Sequence, residues 1–285
     1  MVDSANILCK NELNNLLRKI EEKFESDFLN INGPIEFGLD SAILEVIEDL
    51  SDDDNKRDKL LVMITTGGGD ALVVERIVNL LRHHYREVNF IIPDYAYSAG
   101  TIFCMSGDNI YMDYYSALGP IDPQIQNKDG KLVPALGYLD KIRELLEKAE
   151  NGTLTEAEFL ILKDFDLAEI RAYEQAKELT IDLLKEWLVN YKFKNWNEHS
   201  DGKEVTRNEK IRVAENIAAE LNNHEKWKAH GRPLNIDAIR KIGLKVEDFD
   251  EDASTKKLIR EYYNLMNDFT IKNGLNGFIH TRRFI

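Results

Sequence analysis

Lys59-Leu60-Leu61-Val62-Met63-Ile64-Thr65-Thr66-Gly67-Gly68-Gly69-Asp70 is the stretch on which the reading of the fold turns. Its first half is an unbroken apolar run without polar alternation, which suits a strand covered on both faces in a parallel sheet. Three glycines end the run, and residues 71–84 resume with apolar side chains at helical spacing. The same order recurs downstream. A second apolar run, Val88 to Pro93, reaches Tyr97-Ser98-Ala99-Gly100 and an apolar helix to about Met105. A further strand over Asn109 to Met112 leads to Ala117-Leu118-Gly119-Pro120-Ile121-Asp122-Pro123. Strand and helix in alternation predict an α/β core with right-handed crossovers.

Working outward, residues 11–26 place Leu13, Leu16, Leu17 and Ile20 at helical spacing, and a short strand follows from Asp27 to Ile31. Asn32-Gly33-Pro34 is a turn signal. Residues 38–50 read as an amphipathic helix with Ile43, Leu44, Ile47 and Leu50 on one face, followed by a polar loop at 51–55. From Tyr138 to about Asn223 the chain becomes highly charged and helical in period, with a loop from Asn195 to Gly202 between two long helices. Gly231 to Val246 reads as turn, short helix, Gly243 cap and short strand, and 254–272 as a last helix. The expected division is therefore a core over 1–137, a helical insertion over 138–225, and a return to the core with a C-terminal helix over 226–285.

Of the 285 residues, 43% are hydrophobic and 31% charged, a globular mixture that excludes wholesale disorder. Acidic side chains outnumber basic ones by 51 to 37, a formal charge of −14 that would repel a phosphate backbone, so nucleic acid is not an expected partner. The short basic pair Arg282-Arg283 reads as a frayed tail. Cys9 and Cys104 lie far apart, and neither a disulfide framework nor a zinc site is indicated. Cys104 sits in an apolar run and reads as a small core residue. Met1 to Asn15 lacks the charged start and apolar stretch of a signal peptide, and no window approaches the roughly 18 apolar residues of a membrane helix. A cytoplasmic protein without a membrane anchor is expected.

Two elements carry candidate chemistry. The glycine triplet lacks the Gly-Lys-Ser/Thr ending of a phosphate loop and the Gly-x-Gly-x-x-Gly of a dinucleotide fold. What it supplies is bare backbone N–H groups that can approach a ligand oxygen closely; a tight turn with no ligand is the plain alternative. Ser98 stands between a strand and a helix among small residues, where the plain alternative is an ordinary helix N-cap. Taken together, two consecutive strand–turn–helix units bring Gly69 and Ser98 to one edge of a parallel sheet, where open α/β folds bind ligands. A hydroxyl beside N–H donors is what acyl transfer requires.

These segments in their order (Asn32-Gly33-Pro34-Ile35, the strand into Gly67-Gly68-Gly69, Ser98-Ala99-Gly100, then Gly119-Pro120-Ile121) resemble the core of the ClpP and SppA peptidases of the ClpP/crotonase fold. The 29-residue step from Gly69 to Ser98 is similar to the family's spacing between oxyanion glycine and nucleophile. Gly-Pro-Ile-Asp-Pro-Gln at 119–124 and the Trp-x-x-His-x-x-Pro piece from Trp227 to Pro233 resemble the serine dehydrogenase proteinase branch. The resemblance covers roughly 27–136 and 226–247. It implies a repeated β-β-α superhelical core carrying a helical insertion, and a homo-oligomeric serine peptidase acting on peptide or protein substrates without metal or organic cofactor. Ser98 would be its nucleophile, the N–H groups of Gly69 and Ala99 its oxyanion hole, and Gly68, Asp70, Tyr97 and Pro120 its substrate contacts.

The general base stays open. The histidine that ClpP carries on the strand after the nucleophile helix has no counterpart in Gly119-Pro120-Ile121-Asp122. His230 lies one residue before the position resembling ClpP's third triad member, and its residue type suits base chemistry near neutral pH. Lys163, in Leu162-Lys163-Asp164, resembles the Tyr-Lys-Asp stretch of SppA and would need burial to act. Lys141 and Lys148 lie on a charged helix. Asp122 is placed either to orient a base or simply to initiate a turn. Two other functions compete: a crotonase-type acyl-CoA enzyme using the same N–H pair, and a non-catalytic scaffold whose charged helices bind partners.

Overall fold

The computed structural model describes residues 4–126 and 132–285. Residues 1–3 of the stretch read for a signal peptide, and 127–131 within the expected core, lie outside the described residues. The chain opens with α1 (Ser4–Phe24), β1 (Asp27–Asn32), α2 (Leu39–Ser51), β2 (Lys59–Thr65), α3 (Ala71–His84) and β3 (Glu87–Ile91). The two-residue strand β4 (Tyr95–Ala96) precedes α4 (Ala99–Met105), β5 (Asn109–Met112) and another two-residue strand, β6 (Ala117–Leu118). A small hairpin, β7 (Gln124–Gln126) and β8 (Leu132–Pro134), leads into four helices: α5 (Ala135–Glu150), α6 (Glu156–Lys163), α7 (Leu167–Trp187) and α8 (Arg207–Leu221). The chain closes through α9 (His224–Trp227), α10 (Ile236–Lys241), β9 (Glu247–Asp248), α11 (Ala253–Lys272) and β10 (Phe278–His280).

The main sheet has the order β10-β1-β2-β3-β5-β9, parallel throughout except for β10. This is the mixed α/β architecture expected. The apolar run of β2 is explained by burial on two sides. Leu60, Val62 and Ile64 pack into one core with Ile43, Ile47, Val74 and Ile77 of α2 and α3. Leu61 and Met63, pointing the other way, pack with Leu13, Leu17, Tyr262 and Met266 of α1 and α11. Each such side chain contributes roughly 1.5–3 kcal/mol by leaving water, so a single charge placed at Leu61 or Val62 would break one of the two cores.

A second, thinner layer sits beyond the strand ends. β4 pairs with β6, and isolated bridges join Ile35 to Gly69, Thr66 to Ala96 and Leu118 to Leu234. Two-residue ladders carry no readable periodicity, which is why sequence reading passed over them.

The helical segment is fused to this core: Leu183, Leu184, Trp187, Leu188, Ala214 and Ile217 belong to the same cluster as the strand residues. Among the described residues no helix is long and apolar enough to cross a membrane. Cys104 is buried, as expected of a core residue.

The reading of Arg282-Arg283 as a frayed tail is corrected. Arg282, its side chain only 10% exposed, pairs with Glu21 and Asp27 at 2.7 Å and with Asp53 at 2.8 Å. Glu21 near the end of α1 and Asp27 at the start of β1 are both buried, and burial pushes the Glu21 carboxyl up, so a cation must be brought to them. The C-terminus supplies it.

Candidate active site

The glycine turn and the serine turn are laced together by backbone. Thr66 N–H donates to Tyr95 O and Tyr97 N–H donates to Thr66 O, both at 3.0 Å. Thr66 Oγ1 accepts the Gly68 N–H at 3.0 Å, holding the chain in a sharp bend with Gly68 at φ +105°. No side chain fits there: a Cβ on Gly68 would lie 2.7 Å from Ser98 Cβ and 2.8 Å from Tyr97 O. Gly68 is therefore the floor beneath Ser98.

Gly69 follows in a bridge with Ile35. Ile35 N–H donates to Gly68 O at 2.9 Å, and Asp70 N–H donates to Ile35 O at 2.8 Å. In this parallel pattern the N–H of Gly69 itself points away from Ile35. Among the described residues it meets no acceptor, and neither does the N–H of Ala99, the first residue of α4. Two unspent amide donors thus flank the serine. Asp70 caps α3, accepting the Leu72 N–H at 2.8 Å.

Ser98 occupies φ +53°, ψ −120°, a left-handed conformation that costs a non-glycine residue about 1–3 kcal/mol. It stands at the N-cap position of α4, yet its side chain makes no cap hydrogen bond, and the residue is half-buried rather than sealed. The ordinary N-cap alternative therefore loses its basis. A strained serine with its hydroxyl kept out of helix capping needs another reason to exist.

The segment after β6 is clamped to the same place. Thr101 Oγ1 bonds Ala96 O at 2.8 Å and accepts the Gly119 N–H at 2.9 Å, tying α4 to Gly119-Pro120. Leu118 and Leu234 exchange backbone hydrogen bonds as an antiparallel bridge. Continuing that register by four residues in opposite directions sets Asp122 across from His230. The two side chains meet: His230 Nδ1 lies 2.9 Å from Asp122 Oδ1, with Asp122 2% exposed and His230 23% exposed. With Nδ1–H donated to the carboxylate, the neutral ring presents Nε2 as its acceptor. Gln124 Nε2 donates to the other Asp122 oxygen at 3.1 Å.

The remaining candidates are distributed as follows. Pro120 is buried, and Tyr97 is half-buried, stacked on Tyr95 with ring centroids 5.1 Å apart. Burial, with Asp94 nearby, pushes the Tyr97 phenol up. Lys163 is exposed at the C-terminal end of α6. Lys141 pairs with Glu144 at 2.8 Å. Lys148 bonds Glu158 at 2.6 Å and Glu144 at 2.9 Å, and those bonds raise its pKa, the opposite of what a base requires. Sequence reasoning missed Thr66 and Thr101 as clamps. Their only signal was a threonine next to each glycine-containing turn.

Comparison with known proteins places this geometry in context. A model of the family described as ClpP-like SDH-type serine proteinase matches residues 40–270. The chain is 30% identical over 176 residues to the uncharacterized protein MJ1495 of Methanocaldococcus jannaschii, covering 62% of this chain and 48% of that one. It is 27% identical over 178 residues to the uncharacterized protein MJ0137 of the same organism, covering 62% and 49%. The chain spans about half the length of these curated relatives. Among solved structures, a mutant of the 1510-N membrane-bound stomatin-specific protease matches with a TM-score of 0.42 and 14% identity, over 77% of this chain and 76% of that one. A second mutant of that protease, in complex with a substrate peptide, matches with a TM-score of 0.31 and 20% identity, over 42% and 58%.

Proposed function

The chain belongs to the ClpP-like SDH-type serine proteinase family, and from that premise we propose that it hydrolyses peptide bonds through an acyl-enzyme on Ser98. The observation that carries the proposal is the strained, uncapped Ser98 between the two unspent amides of Gly69 and Ala99. Backbone strain of this kind persists only where surrounding structure enforces it, and here the floor of Gly68 and the Thr66 clamp do so.

In the proposed reaction Ser98 Oγ attacks the scissile carbonyl carbon while His230 Nε2 accepts the hydroxyl proton. The carbonyl π electrons move onto oxygen, and the Gly69 and Ala99 N–H groups donate to that oxyanion. Each such donor is commonly worth about 10²–10³ in rate. Collapse of the tetrahedral intermediate breaks the C–N bond, with the amine leaving as it takes the proton from His230. Water, deprotonated in turn by His230, then releases the acid and restores Ser98. Asp122 holds the His230 tautomer and balances the imidazolium as it forms. His230 is favoured as base over Lys163 because it has a buried carboxylate partner, whereas Lys163 is exposed and a lysine base needs burial to shed its proton.

Gly68, Asp70, Tyr97 and Pro120 are proposed to border the bound peptide. The recurrence of a main strand followed by a short second-layer pairing (β1 then Ile35, β2 then Thr66, β3 then β4, β5 then β6) supports a repeated β-β-α core. We propose further that residues 1–137 and 226–285 form this core around the helical insertion 138–225. The protein is proposed to act as a cytoplasmic homo-oligomer. A fluorophosphonate probe tests the reading: the wild type is expected to be labelled and Ser98→Ala left unlabelled, with peptide hydrolysis lost in parallel. Labelling that survives the substitution would remove Ser98 as nucleophile.

A further inference from the structure

At the opposite end of the sheet α7 does not stop cleanly. It runs into a π-helical turn, Leu188–Lys192, closed by Phe193 N–H donating to Leu188 O at 2.8 Å. Such turns recur at functional sites because they push side chains out of helical register. This one lies over the first residues of β3 and β5 and bounds a cleft of about 440 Å³, within the ~300–1,000 Å³ range of small-molecule sites. Ser98 follows the far end of β3, so by strand rise alone the cleft lies about 13 Å or more from it.

The charges around this cleft do not cancel. Asp108 is already spent: it pairs with Arg82 at 2.7 Å, contacts Lys194, and accepts the Val88 N–H at 2.8 Å. Glu247 engages Lys245 at 2.9 Å, and Glu87 accepts from Asn89 Nδ2 at 2.8 Å. Lys192 has no carboxylate within ion-pair distance among the described residues; its Nζ donates only to the Asp108 backbone carbonyl, at 3.3 Å. Among the lining residues Lys192, Lys194 and Lys245 stand against Glu87 and Asp108, one cation in surplus, in a chain whose net charge is −14. Burial pushes the Lys192 ammonium down to about 8, a loss that the nearby charges of Glu247 and Asp108 offset only in part.

The walls beside it are aromatic. Phe193 and Trp196 meet edge to face with ring centroids 5.6 Å apart, and Tyr191 is covered by the Arg82 guanidinium at 3.8 Å from its ring centroid. A single surplus cation matches a monoanion rather than a phosphate dianion, and flat apolar walls match a flat apolar body. We propose that this cleft binds a small aromatic carboxylate whose carboxyl group pairs with Lys192. The site is separate from the peptidase reading and stands without it.

Isothermal titration of the full chain with phenylacetate and indole-3-acetate, each compared with its neutral amide, tests the proposal. At least one acid is expected to bind, with its amide at least about tenfold weaker, a difference of about 1.4 kcal/mol. Lys192→Met is expected to lower acid affinity by about tenfold or more, Lys192→Arg to retain it, and Ser98→Ala to bind as the wild type does. If neither acid binds at about 10 mM, or acid and amide bind alike, the proposal is overturned. Equal binding by folded Lys192→Met overturns it too. Should Lys192→Met fail to fold, the acid-against-amide comparison on the wild type decides alone.

Discussion

Gly68→Ala should uncouple the serine turn from its floor while leaving every candidate catalytic side chain in place. The added methyl would sit 2.7 Å from Ser98 Cβ and 2.8 Å from Tyr97 O, where carbon atoms ordinarily rest about 3.5–4.0 Å apart. Roughly 1 Å must be yielded. The turn cannot yield freely, because Thr66 is laced to Tyr95 and Tyr97 by backbone hydrogen bonds of 3.0 Å. The displacement therefore falls on Ser98 and its neighbouring amides, and a misplacement near 1 Å commonly costs about 10²-fold in rate. Stability falls as well. An alanine at φ +105° pays about 1–2 kcal/mol of backbone strain, and overpacking adds about 1–3 kcal/mol. At roughly 2–4 °C per kcal/mol the melting temperature should drop by about 5–15 °C. The neighbouring Gly67→Ala is the control, since nothing lies within 4 Å of its added Cβ and its φ lies outside the left-handed region. That variant should stay within about 0.5 kcal/mol of the wild type. Fluorophosphonate labelling rates and calorimetric melting of the three proteins measure both quantities. Wild-type labelling and melting in Gly68→Ala would show that Gly68 does not position Ser98.

Asp122→Asn should lower peptide hydrolysis by about 10³–10⁴ while leaving substrate binding nearly unchanged, because the His230 ring loses its carboxylate partner; equal kcat in the two proteins would exclude the pair. Arg282→Met should destabilise the fold by about 3–5 kcal/mol, since Glu21 and Asp27 would be left buried without a counter-charge, and calorimetry should show a melting drop of roughly 10 °C or more. His280 is buried, with Nδ1 2.8 Å from Tyr262 Oη and Nε2 3.0 Å from Asn14 Oδ1, and burial pulls its pKa down to about 3. Below an unfolded pKa of about 6.5 the unfolded chain takes up a proton that the folded chain refuses, so stability should decline as pH falls from about 6.5 toward 3. His280→Gln should flatten that decline, and an unchanged slope in pH-dependent melting would contradict the assignment.

The parallel core was readable because its physics is local. An apolar run as continuous as Leu60–Ile64 has few uses other than a strand buried on both faces. The turns that carry Gly69 and Ser98 were readable for a related reason, each standing at a strand-to-helix switch where small residues leave backbone bare. The Asp122–His230 contact was not. Both residues were weighed separately, but their meeting depends on the Leu118–Leu234 bridge, a pairing between segments 116 residues apart with one bridge and no periodicity. Arg282 was misread because charge at a chain end says nothing about a buried acidic pair that only the folded β1 edge creates. Likewise no sequence pattern marks Lys192, whose place beside the sheet depends on the π turn.

The proposed chemistry requires Ser98 Oγ and the amides of Gly69 and Ala99 to converge on one carbonyl. A crystal structure of the fluorophosphonate adduct measures this directly. The expected result is a covalent bond at Ser98 Oγ, with the phosphoryl oxygen about 2.7–3.1 Å from both the Gly69 and Ala99 nitrogens. An adduct on another residue, or a phosphoryl oxygen turned away from the glycine turn, would contradict it.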